Sequence, residues 1–281
     1  MSVGAEQRIE LAHLALTAHT WGTPGLPPLL ALHGWLDNAG SFALLAPLLA
    51  RHFHVIALEL PGHGHADHLP AAADYHPAGY VRTVLEALDA LALPRVTLLG
   101  HSLGAGIASM VAAARPERIA ALRLIEGLGL LADDGSHTLE RFREALAAPG
   151  DSKPPRVFRD AEAAALARSQ ASDLAPALAL PIARRSLVAT AGGWRWRSDA
   201  RLLRRSPLRL AESQVRALLA GIAAPTRLLL ASPATRYLPE PLLRERAACV
   251  PHLAVRHLAG GHHLHLEHPA EVADWLLAAD D

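Results

Sequence analysis

The sequence predicts an α/β protein built around a buried, mostly parallel β-sheet. Two observations lead to this prediction: apolar runs of about five residues recur along the chain, and segments with helical spacing lie between them. This alternation is typical of βαβ units, whose strands are covered on both faces and so lack a polar side. A third observation is a gap of about 90 residues, from 128 to 218, in which the strand pattern disappears.

The predicted elements follow in order. Ile9–His19 alternates loosely and predicts one or two edge strands. The runs that predict the inner strands are PPLLALHGW, FHVIALEL, VTLLG and IAALRLIEG before the gap, and TRLLLASP and LAVRHLAGG after it. The segments that predict helices are SFALLAPLLA, PAGYVRTVLEALDALAL, LGAGIASMVAAARPE, residues 240–248 and PAEVADWLLAA.

The gap predicts an inserted region, because it is too long for an ordinary loop and is charged, punctuated by proline and helical in character. We therefore predict a core formed by residues 1–127 and 219–281. Residues 128–218 are predicted to form a helical cap, or lid, over that core.

The composition argues against several classes of protein. Basic and acidic residues number 27 each, so no positive excess favours nucleic acid or an anionic membrane. Cys249 is the one cysteine, which rules out an intramolecular disulfide and a cysteine-based metal site. No apolar run reaches the ~18 residues of a membrane span, and the N-terminus lacks a signal-peptide pattern. We expect a cytoplasmic protein without a cofactor, and the oligomeric state is left open.

The segment VTLLGHSLGAGIA predicts a nucleophilic serine. An apolar strand ends at Gly100, Ser102 follows two residues later, and a small-residue helix begins after it. The turn is so tight that side chains at Gly100 or Gly104 would collide with the neighbouring strand and helix. Ser102 would adopt strained backbone and present its hydroxyl, while the Leu103 amide at the helix N-terminus could stabilise an oxyanion. The alternative is a glycine-rich turn in which Ser102 caps the helix.

A serine needs a base, and the histidine-rich segment GGHHLHLEHP lies where a base would reach across the sheet. His262, His263 and His265 are the candidates. We favour His262, because it directly follows Gly261 and lies seven residues before Pro269, which begins the last helix. His263 is the second choice. The three histidines lack a regular ligand spacing and a cysteine partner, so we expect no metal site.

Glu126 is predicted to be the acid that orients the base. The usual position, the loop after TRLLLA, reads SPATRYLPE and contains no aspartate. Glu240 follows Pro239 there and is expected to open a helix. Glu126 ends an apolar strand, where a carboxylate without a partner would be costly. The alternatives are that Glu126 pairs with an arginine such as Arg123 or caps the entrance to the lid.

The segment LALHGWLDNAGSF predicts the second oxyanion donor. A strand ends at its HG dipeptide, and the backbone N–H of Trp35 can then lie beside that of Leu103. We expect His33 to hold this loop. Asp37 and Asn38 are expected to fix it through bonds from their side chains to the backbone.

Three further residues are predicted to line a substrate pocket. Trp194 and Trp196 lie in the distinctive cap stretch GGWRWRSDARLL, and His101 adjoins Ser102. The alternative for the cap stretch is packing of the cap against the core.

The motifs HGW, ELPGHG, GHSLG and GGHHLHLEHP, in this order, resemble those of the α/β-hydrolase superfamily over essentially the whole chain. HGWLDNAGSF, LIEGLG and WRWRSDARL are similar to the serine hydrolase-like subgroup, which is related in scaffold to haloalkane dehalogenases and epoxide hydrolases. The resemblance implies an eight-stranded, mostly parallel sheet flanked by helices, with a helical cap inserted after the sixth strand. It implies that Ser102 is the nucleophile, His262 the base, and Trp35 and Leu103 the oxyanion donors. Some dehalogenases place their acid after the sixth strand, which supports Glu126.

Dehalogenases and epoxide hydrolases use an aspartate nucleophile, whereas this chain has Ser102. We therefore predict a serine hydrolase that cleaves carboxylic esters or related acyl substrates through a Ser–His–Glu triad and an acyl-enzyme intermediate. The expected partner is a small-molecule acyl substrate. A second hypothesis is a hydrolase-fold protein that binds a small ligand without catalysis, which the missing aspartate after the seventh strand favours. A third hypothesis is perhydrolase or C–C hydrolase activity.

Overall fold

The computed structural model describes residues 4–147, 156–172, 174–235 and 237–278. The strands in this part of the chain are β1 (Ala5–Glu10), β2 (Ala15–Trp21), β3 (Pro28–Leu32), β4 (His54–Glu59), β5 (Val96–His101), β6 (Ile119–Ile125), β7 (Ala132–Asp133), β8 (Leu187–Thr190), β9 (Gly193–Trp196), β10 (Leu210–Ala211), β11 (Thr226–Ser232) and β12 (Leu253–Ala259).

Eight of these strands form the main sheet, in the order β1-β2-β4-β3-β5-β6-β11-β12. Strand β2 is antiparallel to β1 and β4, and the other neighbours are parallel. Leu29 and Leu30 point to opposite faces, and both are at most 1% exposed. Burial on both faces explains why the inner strands are continuous apolar runs. The predicted fold class is therefore confirmed.

The sheet carries helices on both faces. The described helices are α1 (Ala46–Leu49), α2 (Pro77–Ala90), α3 (Leu103–Ala114), α4 (Thr138–Leu146), α5 (Ala161–Ser172), α6 (Pro176–Arg185), α7 (Glu212–Leu219), α8 (Glu240–Ala247), α9 (Leu264–Glu267) and α10 (Pro269–Leu277). Helices α2, α3, α7 and α8 pack on the face that includes Leu30, and α1 and α10 pack on the face that includes Leu29. A bilayer-spanning helix, long and apolar throughout, is not found among them.

One predicted helix is shorter than expected. The sequence SFALLAPLLA predicts a continuous helix, but the structure has a single 3₁₀ turn at Ala39–Phe42 followed by α1. Pro47 lacks a backbone N–H and cannot bond to the carbonyl of Ala43, which disfavours a continuous helix through both residues. Pro47 is instead accommodated in the first turn of α1, where a missing N–H costs nothing.

The region between β6 and β11 contains α4 to α7, as the helical prediction expects, and also the short strands β7 to β10. Strands β8 and β9 form an antiparallel hairpin. Part of the predicted cap, residues 148–155 and 173, lies outside the described residues.

The predicted end of the cap at residue 218 falls inside α7. Val215 and Leu219 of α7 are 0% exposed and belong to the hydrophobic cluster of the main sheet. A separate cluster around Phe158 joins α5 and α6. We therefore propose that the cap ends before α7 and that α7 belongs to the core.

Candidate active site

The turn that carries Ser102 joins β5 directly to α3. Ser102 has φ 51° and ψ −113°, a left-handed conformation that costs a non-glycine residue about 1–3 kcal/mol. Its side chain makes no capping bond to α3, so the capping alternative is not what the structure shows. A Cβ atom on Gly100 would overlap the backbone of Gly104, and one on Gly104 would overlap the carbonyl oxygen of Leu32. Both predicted glycine positions are therefore required by close packing.

Gly104→Ala is expected to lower the free energy of unfolding by at least about 2 kcal/mol, because backbone of β3 fills the space of the new methyl group. Gly79→Ala is the matched control. The nearest atoms to a Cβ there belong to the His76 ring, 3.7 Å away, so alanine is expected to stabilise the helix by about 0.4–1 kcal/mol. Urea denaturation measures both changes, and equal effects would contradict the packing argument.

His262 is the histidine that meets the serine. Its Nε2 atom lies 2.9 Å from Ser102 Oγ, and its Nδ1 atom lies 3.0 Å from Glu126 Oε2. The ring therefore bridges the two other residues predicted for the triad. These three side chains come from the turn after β5, the end of β6 and the loop after β12.

Glu126 is buried and held by several donors. Its Oε1 accepts from the amide of Ala231 at 2.5 Å, and its Oε2 accepts from the Thr235 hydroxyl at 2.9 Å. Burial alone would raise the pKa of Glu126, but hydrogen bonds from His262, Ala231 and Thr235 bring the pKa below its ordinary value of 4.5. Arg123, the alternative partner, donates to a backbone carbonyl of α10.

The remaining candidates for the base and the acid lie away from the serine. His263 Nε2 is 3.4 Å from Asp37 Oδ2, and His265 Nε2 is 2.8 Å from the Ser41 hydroxyl. Glu240 begins α8, as expected. The loop after β11, the usual position of the acid, instead supplies one donor to Glu126, the hydroxyl of Thr235, and β11 itself supplies the amide of Ala231. The sequence analysis does not predict this contact of Thr235 with Glu126; the hydroxyl residue in the loop after β11 is the feature that could have indicated it.

The two predicted oxyanion donors lie just after the carboxyl ends of two neighbouring inner strands, β3 and β5. Leu32 of β3 pairs with Gly100 of β5, and Trp35 and Leu103 each follow these partners by three residues. The Leu103 N–H is the first of α3 and has no carbonyl one helical turn before it. Both backbone amides therefore belong to segments that leave the sheet side by side next to Ser102.

Buried side chains hold the loop that carries Trp35. His33 is 0% exposed, donates from Nδ1 to the carbonyl of Gly34 at 2.8 Å, and accepts from the amide of Leu60 at 3.1 Å. Asn38 accepts from the amide of Gly40 at 2.8 Å. It also donates to a carbonyl of α6 at 3.0 Å, which connects this loop to the predicted cap.

The expected bond from the Asp37 side chain to backbone is not found in the described part of the chain. Asp37 instead accepts from the Ser41 hydroxyl at 3.3 Å and lies in a buried cluster with His101, His263 and Arg168. Its Oδ1 accepts from Arg168 Nη2 at 2.6 Å, and its Oδ2 lies 3.6 Å from His101 Nδ1. Burial alone would raise the pKa of Asp37, but His263 and the guanidinium of Arg168 hold the pKa well below its ordinary value of 3.8. The ion pair with Arg168 of α5 thus takes the place of the predicted bond from Asp37 to nearby backbone.

Three described residues of this cluster have ligand atoms close enough together to bind a metal ion. One ligand atom each from Asp37, His101 and His263 lies within 4.8 Å of the others. The guanidinium of Arg168 already compensates the charge of Asp37, and a divalent cation would add positive charge beside it. We therefore interpret the cluster as an internal polar network.

The pocket prediction for His101 is wrong, because its side chain is 1% exposed and lies beneath the site. Trp194 is 41% exposed, and its backbone pairs with Phe158. The Trp196 ring packs edge-on against Phe158 with centroids 4.9 Å apart. These contacts agree with the packing alternative, and the pocket role of the two tryptophans stays a prediction.

Stability is expected to fall as pH falls from 7 to 5. Burial lowers the pKa of His63 to about 3 and that of His101 to about 4, against about 6.5 in an unfolded chain. Below pH 6.5 the unfolded state therefore binds protons that the folded state does not. Each ring should remove about 2 kcal/mol from the free energy of unfolding by pH 5.

Urea denaturation at several pH values checks this expectation. His63→Asn should reduce the slope of stability against pH, and replacement of the exposed His52 by Asn should leave it unchanged. A stability that is constant or rises between pH 7 and 5 would be incompatible with these buried neutral rings.

The fold and the site together define the class of protein. Residues 27–269 match a family model described as alpha/beta hydrolase fold, and the chain belongs to this family. A serine hydrolase-like protein of Danio rerio is 32% identical over 142 residues, a match that covers 50% of this chain and 44% of that protein. The chain thus spans less than half the length of that relative.

Two solved structures are similar over nearly the full chain. The hypothetical protein PA1622 from Pseudomonas aeruginosa PAO1 superposes with a TM-score of 0.90 at 38% identity, covering 96% of this chain and 97% of that chain. A thioesterase domain from the curacin biosynthetic pathway has a TM-score of 0.87 at 28% identity, covering 99% of this chain and 100% of that chain. The predicted family is therefore confirmed.

Proposed function

We propose that this protein is a serine hydrolase that cleaves carboxylic esters or related acyl substrates through an acyl-enzyme intermediate. The observation that supports this most strongly is the continuous contact from Ser102 Oγ through the His262 ring to the Glu126 carboxylate, at 2.9 and 3.0 Å. This arrangement matches the geometry by which a base activates a serine and an acid orients the base.

In the proposed first half-reaction, Ser102 Oγ attacks the acyl carbonyl carbon and its proton passes to His262 Nε2. The Glu126 carboxylate accepts the Nδ1–H of His262, which fixes the tautomer and stabilises the imidazolium. The backbone amides of Trp35 and Leu103 donate to the oxygen that becomes negative. His262 then gives its proton to the leaving alkoxide or thiolate as the tetrahedral intermediate collapses.

In the proposed second half-reaction, water takes the place of the leaving group. His262 accepts a proton from the water as its oxygen attacks the acyl carbon, and returns a proton to Ser102 Oγ as the ester bond to the serine breaks. The acid product is released, and Ser102 regains its hydroxyl. His262 carries the proton in both half-reactions, so its contacts on both sides are needed throughout.

Exposed rings near the site favour an apolar acyl or alcohol group. Trp35 is 48% exposed although its Nε1 donates to the carbonyl of Leu202 at 3.2 Å. Tyr237 is 41% exposed, and its ring centroid lies 5.0 Å from that of His262. We propose that the substrate packs against these rings. The similarity to a thioesterase domain adds thioesters to the substrate classes worth testing.

Hydrolysis of p-nitrophenyl butyrate and of a simple butyryl thioester tests this function. We expect turnover and a rapid burst of p-nitrophenol close to one equivalent per chain, because the activated p-nitrophenyl ester should acylate Ser102 faster than water deacylates it. A chloroalkane and an epoxide serve as control substrates, since their hydrolysis in the related folds uses an aspartate nucleophile. Absence of both turnover and burst in folded protein would overturn the proposal.

A further inference from the structure

We propose that His101 is a positioning residue for His262: its ring holds the main chain of His262 so that the imidazole meets Ser102. The proposal rests on the proposed function, in which His262 is the base. It assigns a role to the buried ring that the pocket prediction placed incorrectly.

The first argument is the bond itself. His101 Nε2 lies 2.8 Å from the backbone carbonyl oxygen of His262. A carbonyl oxygen only accepts, so His101 Nε2 carries the proton and donates it. His101 directly precedes Ser102, and the two bonded residues are 161 positions apart in the sequence. This single bond therefore joins the turn that carries the nucleophile to the loop that carries the base.

The second argument is that the donor is fixed in direction. The side chain of His101 is 1% exposed, and its ring centroid lies 4.9 Å from His262, 4.9 Å from His263 and 4.3 Å from His265. On the remaining side, a Cβ atom on Gly34 would lie only 2.9 Å from His101 Nδ1. A ring enclosed in this way cannot turn without moving its neighbours, so it transmits the position of β5 to the loop.

The third argument concerns charge. Burial lowers the pKa of His101 to about 4, so the ring is neutral near pH 7. A neutral ring adds no positive charge beside His262, which itself becomes positive during the proposed reaction. The Nδ1 lone pair then faces Asp37 Oδ2 at 3.6 Å, beyond hydrogen-bonding distance. Among the contacts of the described residues, the His101 ring therefore makes one hydrogen bond, and that bond goes to the backbone carbonyl of His262.

A pair of variants separates positioning from packing. His101→Gln keeps an N–H donor near the place of Nε2, and His101→Leu removes it. We expect His101→Leu to lower kcat for p-nitrophenyl butyrate by about 100-fold with KM within about twofold of wild type, because a shift near 1 Å is costly. His101→Gln should stay within about tenfold of wild-type kcat.

A role in packing alone predicts no advantage for the variant that keeps a donor. Leucine and glutamine both fill part of the enclosed volume of the ring, so His101→Leu would then be as active as His101→Gln. Wild-type kcat in folded His101→Leu, or equal losses in both variants, overturns the positioning role.

A second readout does not depend on turnover. The Nδ1–H of His262 that faces Glu126 should give a downfield proton NMR signal in wild-type protein and in His101→Gln. His101→Leu should lose or shift it. If wild-type protein shows the signal but cleaves no ester, the proposed function fails while positioning is still measured. If His101→Leu keeps the signal unchanged, positioning fails whatever the activity.

Discussion

Replacement of Ser102 by alanine is expected to lower kcat for p-nitrophenyl butyrate by about 10⁴–10⁶-fold, because the hydroxyl is the atom that attacks in the proposed reaction. The fold should be preserved, since the Ser102 side chain makes no capping bond to α3. Single-turnover assays with enzyme in excess measure the residual rate. Without the hydroxyl no acyl-enzyme can form at this position, so the p-nitrophenol burst should also be absent.

Ser213→Ala is the matched control, because Ser213 is exposed at the start of α7. Its activity should equal that of wild type. A Ser102→Ala protein that retains activity within about tenfold of wild type would show that the hydrolysis does not depend on this hydroxyl.

Replacement of Glu126 by glutamine is expected to lower kcat by about 10³–10⁴-fold. Glutamine has nearly the same size but no charge, so it cannot stabilise the imidazolium of His262. Its amide can also face Nδ1 with a donor and thereby favour the wrong tautomer. The effect should appear in kcat and kcat/KM together, because the lost interaction strengthens in the transition state.

Glu240→Gln is the matched control for the acid. Glu240 follows the loop after β11, the usual position of the acid, but it is exposed at the start of α8. Its neutralisation should leave kcat unchanged. Near-normal activity in Glu126→Gln, or an equal loss in Glu240→Gln, would contradict the assignment of Glu126.

Local constraints explain why the sequence predicts Ser102 and the strands around it. The flanking Gly100 and Gly104 are required by backbone that lies within a few residues of the turn or on the adjacent strand. Inner strands are recognisable because burial on both faces removes polar residues from them. Spacing to Pro269 favours His262, and its contact with Ser102 agrees with that choice.

Contacts between distant segments could not be predicted in the same way. Arg168 and Asp37 are 131 residues apart, and no local pattern indicates that α5 brings them together. The sequence alone predicts that Asp37 bonds nearby backbone, the commoner use of aspartate in a turn. It also places His101 in a pocket beside Ser102, yet rings from the distant loop after β12 enclose this side chain, and no local pattern indicates that packing. The short hairpin β8–β9 is not predicted, because it lies within a region of helical composition.

The most direct test of the account is to locate the residue that a fluorophosphonate probe modifies. Peptide mass spectrometry of the labelled protein should show one adduct per chain, on the peptide that contains Ser102, and Ser102→Ala should remain unlabelled. An activated serine beside His262 and Glu126 requires this result. Folded wild-type protein that acquires no adduct, or carries it on another residue, would contradict the claim that Ser102 is the nucleophile.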